Sequence, residues 1–373
     1  MVNWHRRSSK LVLAAVAVLV ASGVCELAAR ALLPAPPDET RQPRIVYRYD
    51  PEIRYVLSPS QQGWIDDGWL TINSLGFRGR EVVTPKPSGS FRVVVIGDSV
   101  TMGWGVGDNE TFSAQLEELL HARFPGRPLD IVNMGVGGYD TRQEVTLLKR
   151  NVSRLQPDLV LVGFYSNDVP DALDDKQTTA PGGTRIAASH PEAGQLLRMN
   201  QSPPSWWNRQ LRRSRITYAM GRLFNRLAGK GEWGMSRFSM ELDLLQGRDS
   251  AELGRAWKMV EEQLQDLRGL AAANGFSVGI VVLPCKEQVL GQYPNAQYQT
   301  RIRSIAQPLG FFVVDPLQSL AASRTRADAL FIPYDRNHPS AAGHHVIGEA
   351  IFHYIEQHEP FAASGPGAAP DHS

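Results

Sequence analysis

The stretch FRVVVIGDSVTMG (91–103) places Asp98 and Ser99 directly after a run of β-branched residues and Gly97. A hydroxyl at that point has two uses. It can cap the helix that follows, or it can be held out at a strand end as a nucleophile. The second use requires a base within hydrogen-bond reach, because a serine hydroxyl is a weak nucleophile at neutral pH. Near the C-terminus, YDRNHPS (334–340) offers His338, with Asp335 three residues earlier. A carboxylate on the same turn can hold one ring nitrogen and leave the other to take the serine proton. Alone, Asp335 could equally cap a turn.

Acyl transfer also needs donors for the developing oxyanion. NMGVGGY (133–139) holds glycines that let a backbone N–H approach a substrate oxygen. GFYSND (163–168) holds Asn167, whose amide can donate a second bond. With the Ser99 N–H, these turns could form an oxyanion hole. Asp98 and Asp168 read as structural residues that hydrogen-bond the loops carrying Ser99 and Asn167.

Other chemistries lack their residues. GWGVGDN (103–109) and GVGGYD (135–140) follow predicted strands. However, Asp108 and Asp140 hold the sixth position of a dinucleotide fingerprint, and no G-x-x-x-x-G-K-[ST] occurs. Thr101 replaces the second glycine of a G-x-S-x-G elbow. His344, His345 and His353 share the last predicted helix. Adjacent histidines there point about 100° apart, and no carboxylate is spaced to complete a metal site. No metal or cofactor is expected. Cys25 and Cys285 make no disulfide framework and read as buried small hydrophobes. A formal net charge of +1 over 373 residues gives no basis for nucleic-acid binding.

The elements that must position these residues follow from periodicity. Strands are predicted at 91–97, 129–135, 157–168, 276–284 and 310–316. Helices are predicted at 111–124, 141–155, 251–275 and 340–358. The alternation predicts an α/β fold, a three-layer α/β/α sandwich with a parallel sheet covered on both faces. In such a sheet the loops after the strands open at one edge, where ligand crevices form.

The N-terminus has its own pattern. His5, Arg6, Arg7 and Lys10 precede the apolar run LVLAAVAVLVASGVC (11–25). That run is short for a membrane span of about 20 residues. It reaches this length through Leu27–Leu33, with Glu26 and Arg30 at the outer interface. Two readings of segment 1–33 stay open: an inner-membrane anchor, or a signal peptide cleaved near Ala29-Arg30-Ala31. Either one exports the rest of the chain, and the basic flank places the N-terminus inside. Residues 34–43 read as a linker, 44–90 as a short β-rich approach segment and 91–358 as the main domain. Residues 169–250 interrupt that domain, and 359–373 read as a disordered tail. Within the insertion, 205–227 is arginine-rich, with Ile216, Met220, Leu223, Phe224 and Leu227 on one face. This helix either packs on the domain or lies on an anionic lipid or polymer surface.

The blocks GDSV, the Gly138 turn, SND and DRNH, in that order, resemble the four blocks of the SGNH (GDSL-type) hydrolase superfamily over roughly residues 91–356. The resemblance implies a flavodoxin-like sandwich. It also implies that Ser99 is the nucleophile, that His338 is its base and that Asp335 orients the base. By the same resemblance, the oxyanion hole is formed by the N–H groups of Ser99 and Gly138 and the Asn167 amide. Family spacing favours Gly138 over Gly135. The third block often reads G-x-N-D, whereas Ser166 precedes Asn167 here. NSLGFRGRE (73–81), with the N-terminal tether, is more loosely similar to members that accompany bacterial surface-polysaccharide synthesis. The expected activity is therefore hydrolysis of an ester, with an O-acetylated glycan as the candidate substrate. Acyl transfer to a polysaccharide hydroxyl is an alternative, and an inactive tethered glycan-binding scaffold is a second one.

Overall fold

A computed structural model describes residues 2–36, 38, 41–173, 179–180, 184–185, 213–227, 235–293, 297–323, 325–326, 329–333 and 335–358. The tail 359–373 and most of segment 174–212 lie outside the described residues. The chain divides into two compact units, residues 1–40 with 203–235, and residues 41–202 with 236–373.

The first unit is built on α1 (Val2–Leu32). Its Val12–Leu32 portion spans 21 residues with a mean hydropathy of 2.3, long and apolar enough to cross a membrane. Most of that stretch is exposed, Ala29 being its buried residue among those described. Cys25 is exposed, contrary to the expectation of a buried thiol. Glu26 forms an ion pair with Arg30 at 3.0 Å. It also accepts hydrogen bonds from the Ser214 hydroxyl at 2.9 Å and from the Arg215 and Ile216 N–H groups at 3.2 and 3.3 Å. Arg215 and Ile216 open the arginine-rich helix (Arg215–Leu227), so a carboxylate sits where that helix has free N–H groups. Within the first unit this helix contacts α1.

The second unit begins with two antiparallel hairpins. β1 (Tyr47–Asp50) pairs with β2 (Arg54–Leu57), and β3 (Gln61–Ile65) pairs with β4 (Gly68–Ile72). The main sheet follows, with β5 (Phe91–Gly97), β6 (Leu129–Asn133), β7 (Leu159–Phe164), β8 (Ser277–Val282) and β9 (Phe312–Val314). All neighbours are parallel, in the order β9-β8-β7-β5-β6. Renumbered from β5, this is the 2-1-3-4-5 order of flavodoxin-like sheets. Every residue of β5 and β7 is buried, which explains why both read as apolar runs, broken in β5 by Arg92 alone. The main flanking helices are Phe112–Arg123, Thr141–Leu155, Ala251–Asn274 and Ala341–His358. The α/β/α architecture is therefore the one expected.

The strands are shorter than predicted at the edge where the loops gather. Residues 134–135 and 165–168, expected in strands, lie beyond the strand ends, and Asp168 opens a short helix, Asp168–Asp171. The Asn133 side chain bonds the Thr101 carbonyl at 2.9 Å and the Gly135 N–H at 2.9 Å, so the ladder ends there. Asp168 takes the Tyr165 N–H at 2.8 Å and closes the turn after β7. At the opposite edge, the fully buried Arg92 bonds Asp130 and the Leu155 and Val83 carbonyls, which ties the bottom of the sheet together.

Candidate active site

Connections run from β5 to one side of the sheet and, from β6, back to β7 on the other. Loops after β5 and β7 therefore diverge at this switch point, the place where sheets of this order bind their ligands. Ser99 follows β5, and Asn167 follows β7. Asp98 caps the helical turn Ser99–Met102, accepting the Val100 N–H at 2.8 Å. The turn packs tightly on glycines. A Cβ on Gly97 or Gly163 would lie 2.0 Å from the Thr101 hydroxyl oxygen, and one on Gly135 would lie 2.3 Å from the Met102 nitrogen. These three glycines let the strand ends and the Ser99 turn approach closely.

His338 and Asp335 arrive from the loop ahead of the last helix. The His338 Nε2 lies 2.9 Å from the Ser99 Oγ, and its Nδ1 lies 2.7 Å from an Asp335 carboxylate oxygen. Asp335 also accepts the Asn337 and His338 backbone N–H groups, at 2.7 and 3.1 Å. Burial works to raise the Asp335 pKa, but the His338 charge and these donors hold it well below the usual carboxylate range. An ionised Asp335 keeps the imidazole proton on Nδ1 and leaves the Nε2 lone pair for the serine. Burial opposes a charge on His338, yet Asp335 outweighs it, and the imidazole pKa stands above its ordinary value.

The oxyanion candidates sit on the turns that follow β5, β6 and β7. Gly138 has a φ of +76°, a left-handed conformation that favours glycine. Its N–H has no acceptor among the described residues, whereas the Gly135 N–H is already held by Asn133 at 2.9 Å. That difference favours Gly138 as a free donor. The Asn167 amide hydrogen-bonds Asp98. Ser99, Gly138, Asn167, Asp335 and His338 are all partly exposed, although the strands behind them are buried. Ser166, which precedes Asn167, is fully buried and donates to Glu241 at 2.8 Å. It thereby fastens the Asn167 turn to the helix Met235–Leu245.

Several contributors have no sequence signature. Arg78, from the 44–90 segment, is buried and donates to the Met102, Gly103 and Val106 carbonyls at 2.5, 2.6 and 2.7 Å. Burial pulls its pKa down to about 10, which still leaves it charged at neutral pH. The Tyr55 hydroxyl donates to the Gly137 carbonyl at 3.0 Å, next to Gly138. The Tyr165 hydroxyl donates to the Asn337 side chain at 2.9 Å, linking the β7 turn to the His338 loop. The 44–90 segment thus braces the loop after Ser99 and the turn that carries Gly138.

Asp98 and Asp168 do bond their loops as expected, but they are joined by Glu144 in a buried carboxylate group. Burial raises the pKa of all three, and their mutual charge raises Glu144 and Asp168 further. Neither Glu144 oxygen has a hydrogen-bond partner among the described residues, so this carboxyl favours its protonated form. The last helix's histidines have separate surroundings. His344 is buried, and its Nδ1 accepts the Phe112 N–H at 3.2 Å. His345 and His353 instead face Glu349 and Glu356. Among the described residues, no group of three potential ligands forms a metal site. Cys285 is buried, which pushes its pKa up to about 12.

The chain belongs to the GDSL-like lipase/acylhydrolase family, whose model matches residues 95–346. It is an ester-bond hydrolase of the SGNH type. Solved structures with a similar fold include LAE5, a hydrolase from the metagenome of Lake Arreo, Spain. It is 20% identical with a TM-score of 0.43, covering 72% of this chain and 97% of that one. The acetylxylan esterase Axe2 from Geobacillus stearothermophilus is 18% identical, with a TM-score of 0.40 and coverage of 72% and 95%. TesA is 14% identical, with a TM-score of 0.41 and coverage of 71% and 98%. No curated protein compared with the chain matches it significantly.

Proposed function

We propose that the chain hydrolyses an acyl ester through an acyl-enzyme on Ser99. The observation that carries this reading is the unbroken line from the Ser99 hydroxyl to His338 at 2.9 Å and on to Asp335 at 2.7 Å. The Ser99 Oγ attacks the ester carbonyl while its proton passes to the His338 Nε2. The negative oxygen is received by the Ser99 and Gly138 N–H groups and the Asn167 amide. Collapse expels the alcohol, which takes the proton from His338. A water then gives its proton to His338 and attacks the acyl-enzyme, releasing the acid and restoring Ser99.

The substrate reading is a small acyl group, most simply acetyl, on an extracytoplasmic glycan. It is supported by α1, read as a single anchor with its basic flank inside, and by the similarity of 73–81 to polysaccharide-associated members. Turnover of 4-nitrophenyl acetate by wild type and Ser99→Ala, with the full chain in detergent, tests the chemistry. Incubating the same protein with an O-acetylated oligosaccharide and an unacetylated acceptor tests the outcome. Free acetate supports hydrolysis, whereas an acetylated acceptor without free acetate would replace it by transfer.

A further inference from the structure

Trp104 lies between the two halves of the site. Its backbone N–H donates to the Ser99 carbonyl at 3.0 Å. Its ring stacks on His338, with centroids 5.7 Å apart and planes inclined by 25°. Its indole N–H donates to the Asp66 carboxylate at 2.7 Å. Asp66 reaches it from the tip of the β3–β4 hairpin, and that hairpin is seated on the Trp104 loop. A Cβ on Gly68 would lie 2.5 Å from the Val106 carbonyl oxygen. Arg78 holds the same loop by its Met102, Gly103 and Val106 carbonyls.

We propose that Trp104 is a positioning residue for His338, its ring face receiving the imidazolium that forms as Ser99 loses its proton, and its N–H fixed by Asp66. The proposal rests on the Ser99–His338 reading above. Asp335 fixes the imidazole by its edge, which leaves rotation about that hydrogen bond open. A stacked ring removes this freedom. The face of an indole carries the negative part of the ring quadrupole and attracts a cation. It therefore interacts more strongly with the imidazolium than with neutral imidazole, which favours the state reached during attack. The charged groups facing His338 are Asp335 on its own loop, Asp98 behind Ser99 and Asp66 on the hairpin, and each favours the charged ring. His344, on the last helix, is kept neutral by burial and by the Arg78 charge.

The test is the pH dependence of Ser99 labelling by a fluorophosphonate, with full-length wild type, Trp104→Phe, Trp104→Leu and Asp66→Asn. Labelling needs neutral His338, so its rate falls as pH drops through the imidazole pKa. Trp104→Leu removes the stabilisation of the imidazolium. It is expected to move the acidic limb down by about half a unit to one unit, the scale of a lost cation–π contact. Its plateau rate should also fall several-fold. Trp104→Phe keeps a ring face and should move the limb less. Asp66→Asn should move it in the same direction as Trp104→Leu. If Trp104→Leu and Asp66→Asn lower the plateau but leave the limb in place, the ring serves packing alone and the proposal is overturned. If wild type is not labelled at Ser99, the Ser99–His338 reading fails, and the proposal fails with it.

Discussion

Replacing Arg78 by methionine isolates what the hairpin segment contributes to the catalytic loops. Methionine retains much of the aliphatic volume and has no donor. The Met102 and Val106 carbonyls would lose donors at 2.5 and 2.7 Å, and Gly103 would keep only the Val106 N–H at 3.4 Å. An orphaned buried carbonyl costs about 1–3 kcal/mol, and bonds from a charged donor lie at the upper end. Asp108 loses a 3.2 Å partner, but it is partly exposed and keeps the Thr71 N–H, so it adds little. The sum is about 3–5 kcal/mol, a large share of the roughly 5–15 kcal/mol that separates a folded domain from its unfolded chain. The variant should fold and melt lower by the order of 10 °C. Arg78→Lys should fall between the two, because an ammonium cannot spread its donors over three carbonyls as a guanidinium fork does. Intrinsic-fluorescence melting of the three proteins measures this. A methionine variant that melts within about 2 °C of wild type would refute the claim that Arg78 holds the loop.

Three further outcomes are expected. Asn167→Ala should reduce kcat/KM on 4-nitrophenyl acetate about 10²- to 10³-fold, the usual loss for one oxyanion donor, and an unchanged rate would remove Asn167 from the hole. The acidic limb of kcat/KM should lie above about 6.5, the free imidazole value, because Asp335 outweighs burial at His338; Asp335→Asn should move the limb downward. Glu144 has a raised pKa in the fold, so the unfolded chain ionises first as pH rises above about 4.3, and the fold loses stability from there upward. Glu144→Gln removes this penalty, and its melting advantage over wild type should grow between pH 5 and pH 8; an advantage that shrinks over that range contradicts a buried protonated Glu144.

The sheet was legible because β5, β7 and β8 are apolar runs bounded by turns, and the helices between them carry a clear period. The helix at 141–155 is found where its periodicity places it, capped by Asp140 with Gln143. Strand ends were less legible. What stops β6 and β7 is side-chain bonding by Asn133 and Asp168, which a hydrophobic pattern does not register. Ser99, Asn167, Asp335 and His338 could be proposed because their types and order carry chemistry. Choosing Gly138 over Gly135 needed family spacing, and the structure adds a reason in the occupied Gly135 N–H. Asp66, Arg78 and Trp104 could not be singled out, since they act across hydrogen bonds between residues 24 to 38 positions apart in the chain. Nor could the arginine-rich helix be assigned to α1, because that contact is made by hydrogen bonds of Glu26 and of the Arg30 carbonyl, which a hydrophobic pattern does not register.

The most direct test of the central claim is the intact mass of the full-length protein after exposure to a fluorophosphonate, for wild type, Ser99→Ala and His338→Ala. The account expects a single adduct on wild type, none on Ser99→Ala and much slower labelling of His338→Ala. Folded wild type that remains unlabelled, or Ser99→Ala that labels as fast as wild type, would contradict a nucleophile at Ser99 activated by His338.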